Sequence, residues 1–383
     1  MVKIWDIEDQ GTLKAWLEEQ PREVAVWIAS RVAARVLPVW WDAVLTEEWA
    51  HKLELNALPA LRSLLISSVA GIGRLKESWP AVEASHATRA AAVAATASNA
   101  LVAQSAAAAA SHAARGAHVA PASAAVGAVH AASAAASAYT VALWAAIKTD
   151  AEQTSGGGIP YDMPLWPDGK GPLAKEWGLI KSQLSKSSDI AAWEFWIEWY
   201  DALLDGRPML GDAGRTWEML EKIVLIDPKT WDAGPEVVNP VIREIWDLYR
   251  LRDEVAALRA EKERLLAGRA SAEARSHNQP PELVDTEPEM ARQVEVIWAG
   301  LDAAQDELEQ EVPDKHVLQR IAEEMLAALK AVAGYCAKVG DTVVMSAAKV
   351  GGGAVGTAIL DHVANNGRLL QFAKDLLQHA ISG

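Results

Sequence analysis

The 383-residue sequence has one cysteine and only two phenylalanines, and its 36 Lys and Arg residues are outnumbered by 51 Asp and Glu residues. A single cysteine, Cys336, excludes an intramolecular disulfide framework. The formal net charge of −15 opposes nucleic-acid binding, because that affinity depends on Lys and Arg displacing counterions from phosphates. The first residues also lack a basic stretch followed by an apolar one. We therefore expect a reducing, cytoplasmic location and no nucleic-acid partner.

Catalytic motifs are also missing, since the sequence contains no HExxH, GxSxG, Walker lysine loop or CxxC pattern. Cys336 has no local His or Asn that would activate its thiol. His86, His112, His118 and His130 lie in an alanine-rich tract with almost no acid, which favours solvated or capping roles over metal ligation. We predict a non-enzymatic protein with no catalytic, cofactor-binding or metal-binding residues and no cofactor. A catalytic site assembled from distant residues is the open alternative.

Helix signals dominate what is present. Pro and Gly fall between apolar stretches of helical period, and almost no alternating strand pattern occurs. Seventeen Trp residues replace the missing Phe as large core side chains. We predict an all-α fold, namely a multi-helix bundle with a long alanine-rich helical hairpin, a short coiled coil and a C-terminal glycine-rich helical tail.

The N-terminal helices carry two further signals. Four apolar residues recur at near-helical spacing, namely Val24, Ile28, Val32 and Val36. Arg22, Arg31 and Arg35 lie off this stripe, so we predict an amphipathic helix packed on a core in preference to a membrane-surface helix. Pro38 is predicted to end or kink it. In the alanine-rich tract, Gly116 and Pro121 predict the break between the two helices of the hairpin.

Composition predicts six regions along the chain. They are an N-terminal helical region with the alanine-rich hairpin at 1–153, a Gly/Pro-rich linker at 154–172, a Trp-rich helical region at 173–247, a coiled coil at 248–267, a second linker at 268–286 and a C-terminal helical domain at 287–383.

The stretch from Trp193 to Asn239 contains WIEWYDALLDGR and WEMLEKIVLIDPKTWDAGPEVVN, and a charged coil and the linker SHNQPPE follow it. With the helix PREVAVWIASR and the alanine-rich middle, this arrangement resembles a family of uncharacterised bacterial alanine- and tryptophan-rich helical proteins. The resemblance covers most of the chain up to Glu282. It implies a bacterial origin and this order of regions, and it carries no activity and no site residues.

A short heptad pattern follows the Trp-rich region. Its a and d positions are Leu248, Leu251, Val255, Leu258, Lys262 and Leu265. Asp247 and Glu254 fall at g positions. Arg252 and Arg259 fall at e positions, where they would pair with these acids on a parallel partner. We predict self-association through this seam, with packing on another helix of the same chain as the alternative.

Residues 339–360 are rich in glycine and small apolar residues, with the sequence VGDTVVMSAAKVGGGAVGTAIL. Ala348, Gly352 and Gly356 form a small-xxx-small face of the kind that packs membrane helices closely. Residues 342–360 carry one Lys and are about long enough to cross a bilayer core of roughly 30 Å. Membrane insertion is one interpretation, and a glycine-softened hairpin packed on the preceding helix is the other.

The end of the chain adds an amphipathic helix, with Leu369, Phe372 and Leu376 on its apolar face. The glycines at 351–356 match GxGxxG formally. A dinucleotide site needs a strand before such glycines, and helix patterns precede them here, which argues against that site.

These features predict a non-enzymatic, self-associating helical protein whose C-terminal segment associates with or inserts into membrane conditionally, as a permeabilising effector would. The expected partners are further copies of the chain and membrane lipid, and no protein partner is indicated. We expect a cytoplasmic location with conditional contact at the inner membrane. The alternative is a soluble helical scaffold or assembly module with no membrane contact.

Overall fold

The computed structural model describes residues 3–98, 100–156, 158–160, 162–169, 171–186, 190–275, 288–339 and 367–382. The chain divides into two compact units, Met1–Ile245 and Trp246–Gly383. Every long regular element in the described ranges is a helix, which confirms the all-α, multi-helix prediction.

The first unit is built from twelve described α-helices and the beginning of a thirteenth. They are α1 (Gln10–Leu17), α2 (Arg22–Thr46), α3 (Glu48–Lys52), α4 (Leu58–Gly71), α5 (Trp79–Ala97), α6 (Leu101–Gly116), α7 (Pro121–Ala135), α8 (Thr140–Thr154), α9 (Ala174–Leu184), α10 (Ile190–Asp205), α11 (Ala213–Val224), α12 (Pro228–Asp232) and α13 (Pro235–Arg275). The second unit contains α13 from residue 246 onward. Its other described helices are α14 (Pro288–Leu308), α15 (Lys315–Val339) and α16 (Gly367–Ile381).

Helix α2 lies at the centre of the first unit and contacts α4, α6, α7, α8 and α9. Most of its residues are buried, including Arg31 and Arg35. The packed core position agrees with the sequence, but the expectation of an amphipathic helix with these arginines on a polar face is wrong. Both guanidinium groups lie inside the unit, because an acid on α8 neutralises part of their charge.

That acid is Asp150, which is fully buried and contacts both arginines. Arg31 Nε lies 3.0 Å from Asp150 Oδ1, and Arg35 Nη2 lies 2.8 Å from Asp150 Oδ2. The guanidinium groups also donate hydrogen bonds to the backbone carbonyls of residues 163–165. Burial lowers the pKa of Arg31, and the Asp150 charge opposes that shift. Two cations therefore share one carboxylate and a row of carbonyl oxygens.

The Gly/Pro-rich segment at 154–172 is predicted as a linker, but its middle packs into the first unit. Leu165 and Trp166 are buried, and Leu165 N–H donates to the Leu203 carbonyl of α10 at 3.0 Å. The segment thus buries two apolar side chains and supplies backbone carbonyl acceptors to the buried arginines, which would otherwise lack these partners.

Gly206, at the end of α10, allows this segment to approach. Its φ is +67°, in the left-handed region that favours glycine. A Cβ at this position would lie 2.3 Å from the backbone nitrogen of Pro164. A side chain at residue 206 would thus displace the backbone that supplies the carbonyl acceptors.

Pro38 does not end α2, which continues through it to Thr46. Proline lacks the N–H that would bond to the carbonyl four residues earlier, that of Ala34. The Tyr200 hydroxyl of α10 donates to this Ala34 oxygen at 3.0 Å inside the core. The hydrogen bond lost at the proline is replaced from a neighbouring helix, so the buried carbonyl remains paired.

Replacing Tyr200 by Phe should lower the free energy of unfolding by about 1–3 kcal/mol, the cost of leaving a buried acceptor unpaired. Denaturant titration would measure this loss. In a Pro38→Ala background the helix itself supplies an N–H to Ala34, so Tyr200→Phe should cost less there. Equal costs in both backgrounds would show that the hydroxyl does not replace the helical hydrogen bond.

The alanine-rich tract forms four helices, α5 to α8, where the sequence predicts a hairpin of two long ones. The predicted break is present, since α6 ends at Gly116 and α7 begins at Pro121. A further break follows α5, where the Ala100 N–H donates back to the Ala95 carbonyl and closes the helix end. Alanine side chains are small, so α6 packs closely on both α5 and α7.

Candidate functional site in the C-terminal unit

The described helices of the second unit form an apolar core, into which each places a stripe of apolar side chains. Its fully or nearly fully buried members include Leu251, Val255, Leu258, Ile297, Leu301, Leu308, Leu318, Met325, Val332, Leu369, Phe372 and Leu376. The residues come from α13, α14, α15 and α16, so both predicted surfaces, the seam and the terminal apolar face, meet in this core.

The apolar face of α16 is buried against its own chain. Leu369, Phe372 and Leu376 are at most 1% exposed, and α16 packs on α15. Their spacing of three and four residues puts them on one side of the helix, where the sequence predicts an apolar face. These three side chains therefore pack inside the core that the described helices of this unit form.

The seam residues of α13 are also used within the chain. Leu251, Val255 and Leu258 are at most 5% exposed inside the same core, and Leu248 packs against its edge. Leu265 lies further along the helix and is half-buried. This is the intrachain packing that the sequence left open as the alternative. Self-association through the seam stays a prediction, and it would require these side chains to leave the core.

The charged residues beside the seam bind α14 instead of a parallel partner helix. Arg259 Nε lies 2.9 Å from Asp302 Oδ1, and Lys262 Nζ lies 2.7 Å from Asp302 Oδ2. Arg252 donates to the carbonyl of Leu308 and to that of Gln310, at the end of α14. The cations predicted to pair with Asp247 and Glu254 of a second chain therefore have partners in their own, because α14 folds back along α13.

Glu254 binds the terminal helix. Arg368, in the first turn of α16, places Nη2 3.0 Å from Glu254 Oε1 and Nη1 3.6 Å from Glu261 Oε2. Hydrogen bonding to Glu254 raises the pKa of Arg368. About half of the Arg368 side chain is exposed, so this ion pair lies at the rim of the core. We call the contact of Arg368 with Glu254 and Glu261 the rim contact.

One close approach in this unit has no signal in the sequence. A Cβ at Gly300 of α14 would lie 2.5 Å from Cγ of Met325 on α15. The glycine lets α14 and α15 pack at short distance, and α16 packs on α15. Helical periodicity alone does not distinguish such a glycine from a solvent-facing one.

The predicted helix-packing residues Ala348, Gly352 and Gly356 lie outside the described residues, as do the other glycines of the GxGxxG match. The Cys336 side chain also lies outside them. Among the described residues, no group of three or more His, Cys, Asp or Glu side chains is placed to hold a metal ion.

The first unit contains a small cavity of about 60 Å³, lined in part by Trp27, Arg31, Trp199 and Thr216. Its polar groups already serve the chain. Arg31 binds Asp150, and the Thr216 hydroxyl donates to the Asp212 carbonyl. The cavity has room for a few water molecules. Because its polar groups are already paired, it is a weaker candidate site than the C-terminal unit.

Among the described residues, α2 is long and apolar enough to cross a membrane, and a bent pair at 121–135 and 137–154 meets the same criterion jointly. Core helices of soluble proteins meet it as well, and α2 is buried along almost its whole length. This observation is weak evidence for a membrane span.

Comparisons with protein-family models, with curated proteins and with solved structures find no match for this chain. The resemblance to bacterial alanine- and tryptophan-rich helical proteins therefore stays a prediction.

Proposed function

We propose that this chain is a non-enzymatic helical protein whose C-terminal unit stores an amphipathic helix in a closed form and releases it to associate with membrane. The observation that carries the proposal is the position of α16. Its apolar face is formed by Leu369, Phe372 and Leu376, and the core of its own chain covers all three side chains. An amphipathic helix of this kind binds the membrane interface through the same face that it buries in the closed form.

The closed form explains how such a helix is compatible with a soluble state. A contiguous apolar face that is exposed to solvent promotes association, and burial of the α16 face in the core of its own chain removes that exposure. Release would expose the α16 face together with the surface of α13, α14 and α15 that it covers. We place self-association at this step, because Leu251, Val255 and Leu258 belong to the same core.

The rim contact is the part of the closed form that is most accessible to solvent and to substitution. Arg368 is half-exposed and its partners lie on a different helix, so its loss weakens closure without altering the apolar face. Exposed ion pairs contribute at most about 1 kcal/mol each, which sets the scale of the expected effect.

The second candidate function is a soluble helical scaffold with no membrane contact. Burial of the α16 face within its own chain is compatible with this function, since the face would be buried in the same way if α16 were never released. The glycine-rich stretch at 339–360 and the terminal apolar face favour the membrane proposal, because only residues 361–368 separate them in the sequence. Lipid binding by a chain with weakened closure separates the two candidates.

Replacing Arg368 by Glu should raise the fraction of protein that floats with vesicles of mixed phosphatidylglycerol and phosphatidylcholine by roughly fivefold, the equivalent of about 1 kcal/mol of lost closure. Repulsion from Glu254 and Glu261 replaces attraction in this variant. The matched control is Lys374→Glu, which makes the same charge change at an exposed position of α16. Equal flotation of the two variants would contradict the proposal and leave the scaffold function.

A further inference from the structure

The cavity of the first unit lies beside an excess of buried positive charge. The side chains of Arg31 and Arg35 are at most 8% exposed, and Asp150, which contacts both, is fully buried. Two cations and one carboxylate leave one positive charge uncompensated within this cluster. Arg31 also lines the cavity, so the excess charge borders the open space directly.

Arg31 has partners, but they do not use all of its donors. A guanidinium group carries five N–H groups. In Arg31, Nε donates to Asp150 and Nη1 to the Met163 carbonyl, both at 3.0 Å, and Nη2 donates to the Pro164 carbonyl at 2.5 Å. These bonds leave one N–H on each Nη atom without a partner among the described residues. A further acceptor would complete the hydrogen bonding of Arg31.

Arg35 adds to the shortage of acceptors. Its Nε donates to the Leu165 carbonyl at 2.9 Å, and its Nη2 lies 2.8 Å from Asp150 Oδ2. Its Nη1 is buried and has no hydrogen-bond partner among the described residues. Because Arg31 and Arg35 contact the same carboxylate, a negative charge placed beside Arg31 would stabilise both cations.

The other walls of the cavity are mainly apolar. Trp27, Trp199, Leu203 and Leu220 contribute to them. The Trp27 ring also faces the guanidinium group of Arg31, with 4.8 Å between the guanidinium carbon and the ring centroid. Ligand sites in proteins commonly combine apolar walls with a small number of placed polar groups. This cavity has that combination, with Arg31 as the charged group.

The acids nearby in the structure bind another cation. Arg207 lines the cavity too, and it pairs with Glu198 at 2.8 Å and with Asp205 at 3.2 Å. These three side chains are 34–59% exposed, so solvent screens their charges. Arg31 is buried, where charges interact more strongly. The ion pairs of Arg207 therefore do little to balance the charge at Arg31.

We propose that this cavity binds a small monocarboxylate, with the carboxylate group at Arg31 and the alkyl group among the apolar lining residues. The carboxylate would accept charge-assisted hydrogen bonds from the two remaining N–H groups of Arg31. A volume of about 60 Å³ restricts the ligand to a few heavy atoms, as in acetate or propionate. Water in the same space accepts hydrogen bonds but carries no charge. This site goes beyond the proposed membrane function, which concerns the other unit.

The test is a titration of the full chain with propionate and with propionamide at constant ionic strength. Propionamide has nearly the same shape and no charge. Saturation-transfer NMR of the ligand signals would measure both affinities. We expect saturable propionate binding that is at least about tenfold tighter than propionamide binding, the scale of one charge-assisted hydrogen bond. Equal affinities, or no saturable binding of propionate, would overturn the proposal.

The substitution Ala202→Val tests whether the ligand lies in this cavity. Ala202 of α10 is buried and lines the cavity, so two added methyl groups would occupy part of it. Its matched control is Ala145→Val, at an exposed position of α8. Propionate binding should weaken about tenfold or more in Ala202→Val and stay within a small factor of the wild type in Ala145→Val.

Equal propionate binding by the two folded variants would also overturn the proposal, because the ligand would then bind elsewhere. The comparison of propionate with propionamide uses the wild type, so it decides the proposal even where Ala202→Val does not fold. A negative result leaves the α16 proposal standing, because the cavity and both substituted alanines belong to the first unit.

Discussion

Replacing Asp150 by Ala is expected to destabilise the first unit by about 3–5 kcal/mol, the usual cost of removing one partner from a buried ion pair. Arg31 and Arg35 are both buried and share this one carboxylate. Without it, two guanidinium groups would face carbonyl oxygens and each other in a medium of low polarity. Denaturant unfolding followed by Trp fluorescence would measure the loss.

The control for this change is Asp162→Ala, which removes an exposed acid near the same arginine-binding segment and should cost less than about 0.5 kcal/mol. A cost below about 1 kcal/mol for Asp150→Ala would contradict the account. It would mean that carbonyl groups alone balance the two cations.

The double substitution Phe372→Glu and Leu376→Glu should unfold the C-terminal unit, with a loss of about 5 kcal/mol or more. Both side chains are at most 1% exposed, so each new carboxylate would have to be buried unpaired or leave the core. Hydrogen exchange of peptides from α14, α15 and α16 would report the loss as faster exchange.

The matched control for the core pair is Gln371→Glu with Gln378→Glu, which adds the same two charges to the exposed side of α16. This variant should keep the exchange rates of the wild type to within a small factor. Similar exchange in both double variants would show that the α16 face does not hold the unit together.

The features that the sequence predicted correctly are those determined by residues close together in the chain. The stripe of Leu369, Phe372 and Leu376 defines a face at any position in a fold, so its burial follows from the hydrophobic effect. The break between Gly116 and Pro121 was predictable for the same reason, because both residues act locally on the backbone.

Features that depend on distant partners were not predictable. From the sequence, Arg31 and Arg35 are predicted to lie on the surface, because nothing nearby in the chain indicates that Asp150 pairs with them. The sequence feature that singles out Asp150 is its position after a long stretch without acids. Helix α2 continues through Pro38 because Tyr200, far along the chain, supplies the missing donor. In the heptad segment, apolar spacing does not distinguish a partner chain from α14 and α16.

The most direct test of conditional membrane association is vesicle flotation of Arg368→Glu with and without the added pair Phe372→Glu and Leu376→Glu. All of these variants weaken closure of the C-terminal unit, but only the single substitution keeps the apolar face of α16. We expect Arg368→Glu to float more than the wild type and the triple variant to float no more than the wild type. Equal or greater flotation of the triple variant would contradict the account, because unfolding of the unit, and not the α16 face, would then bring the chain to lipid.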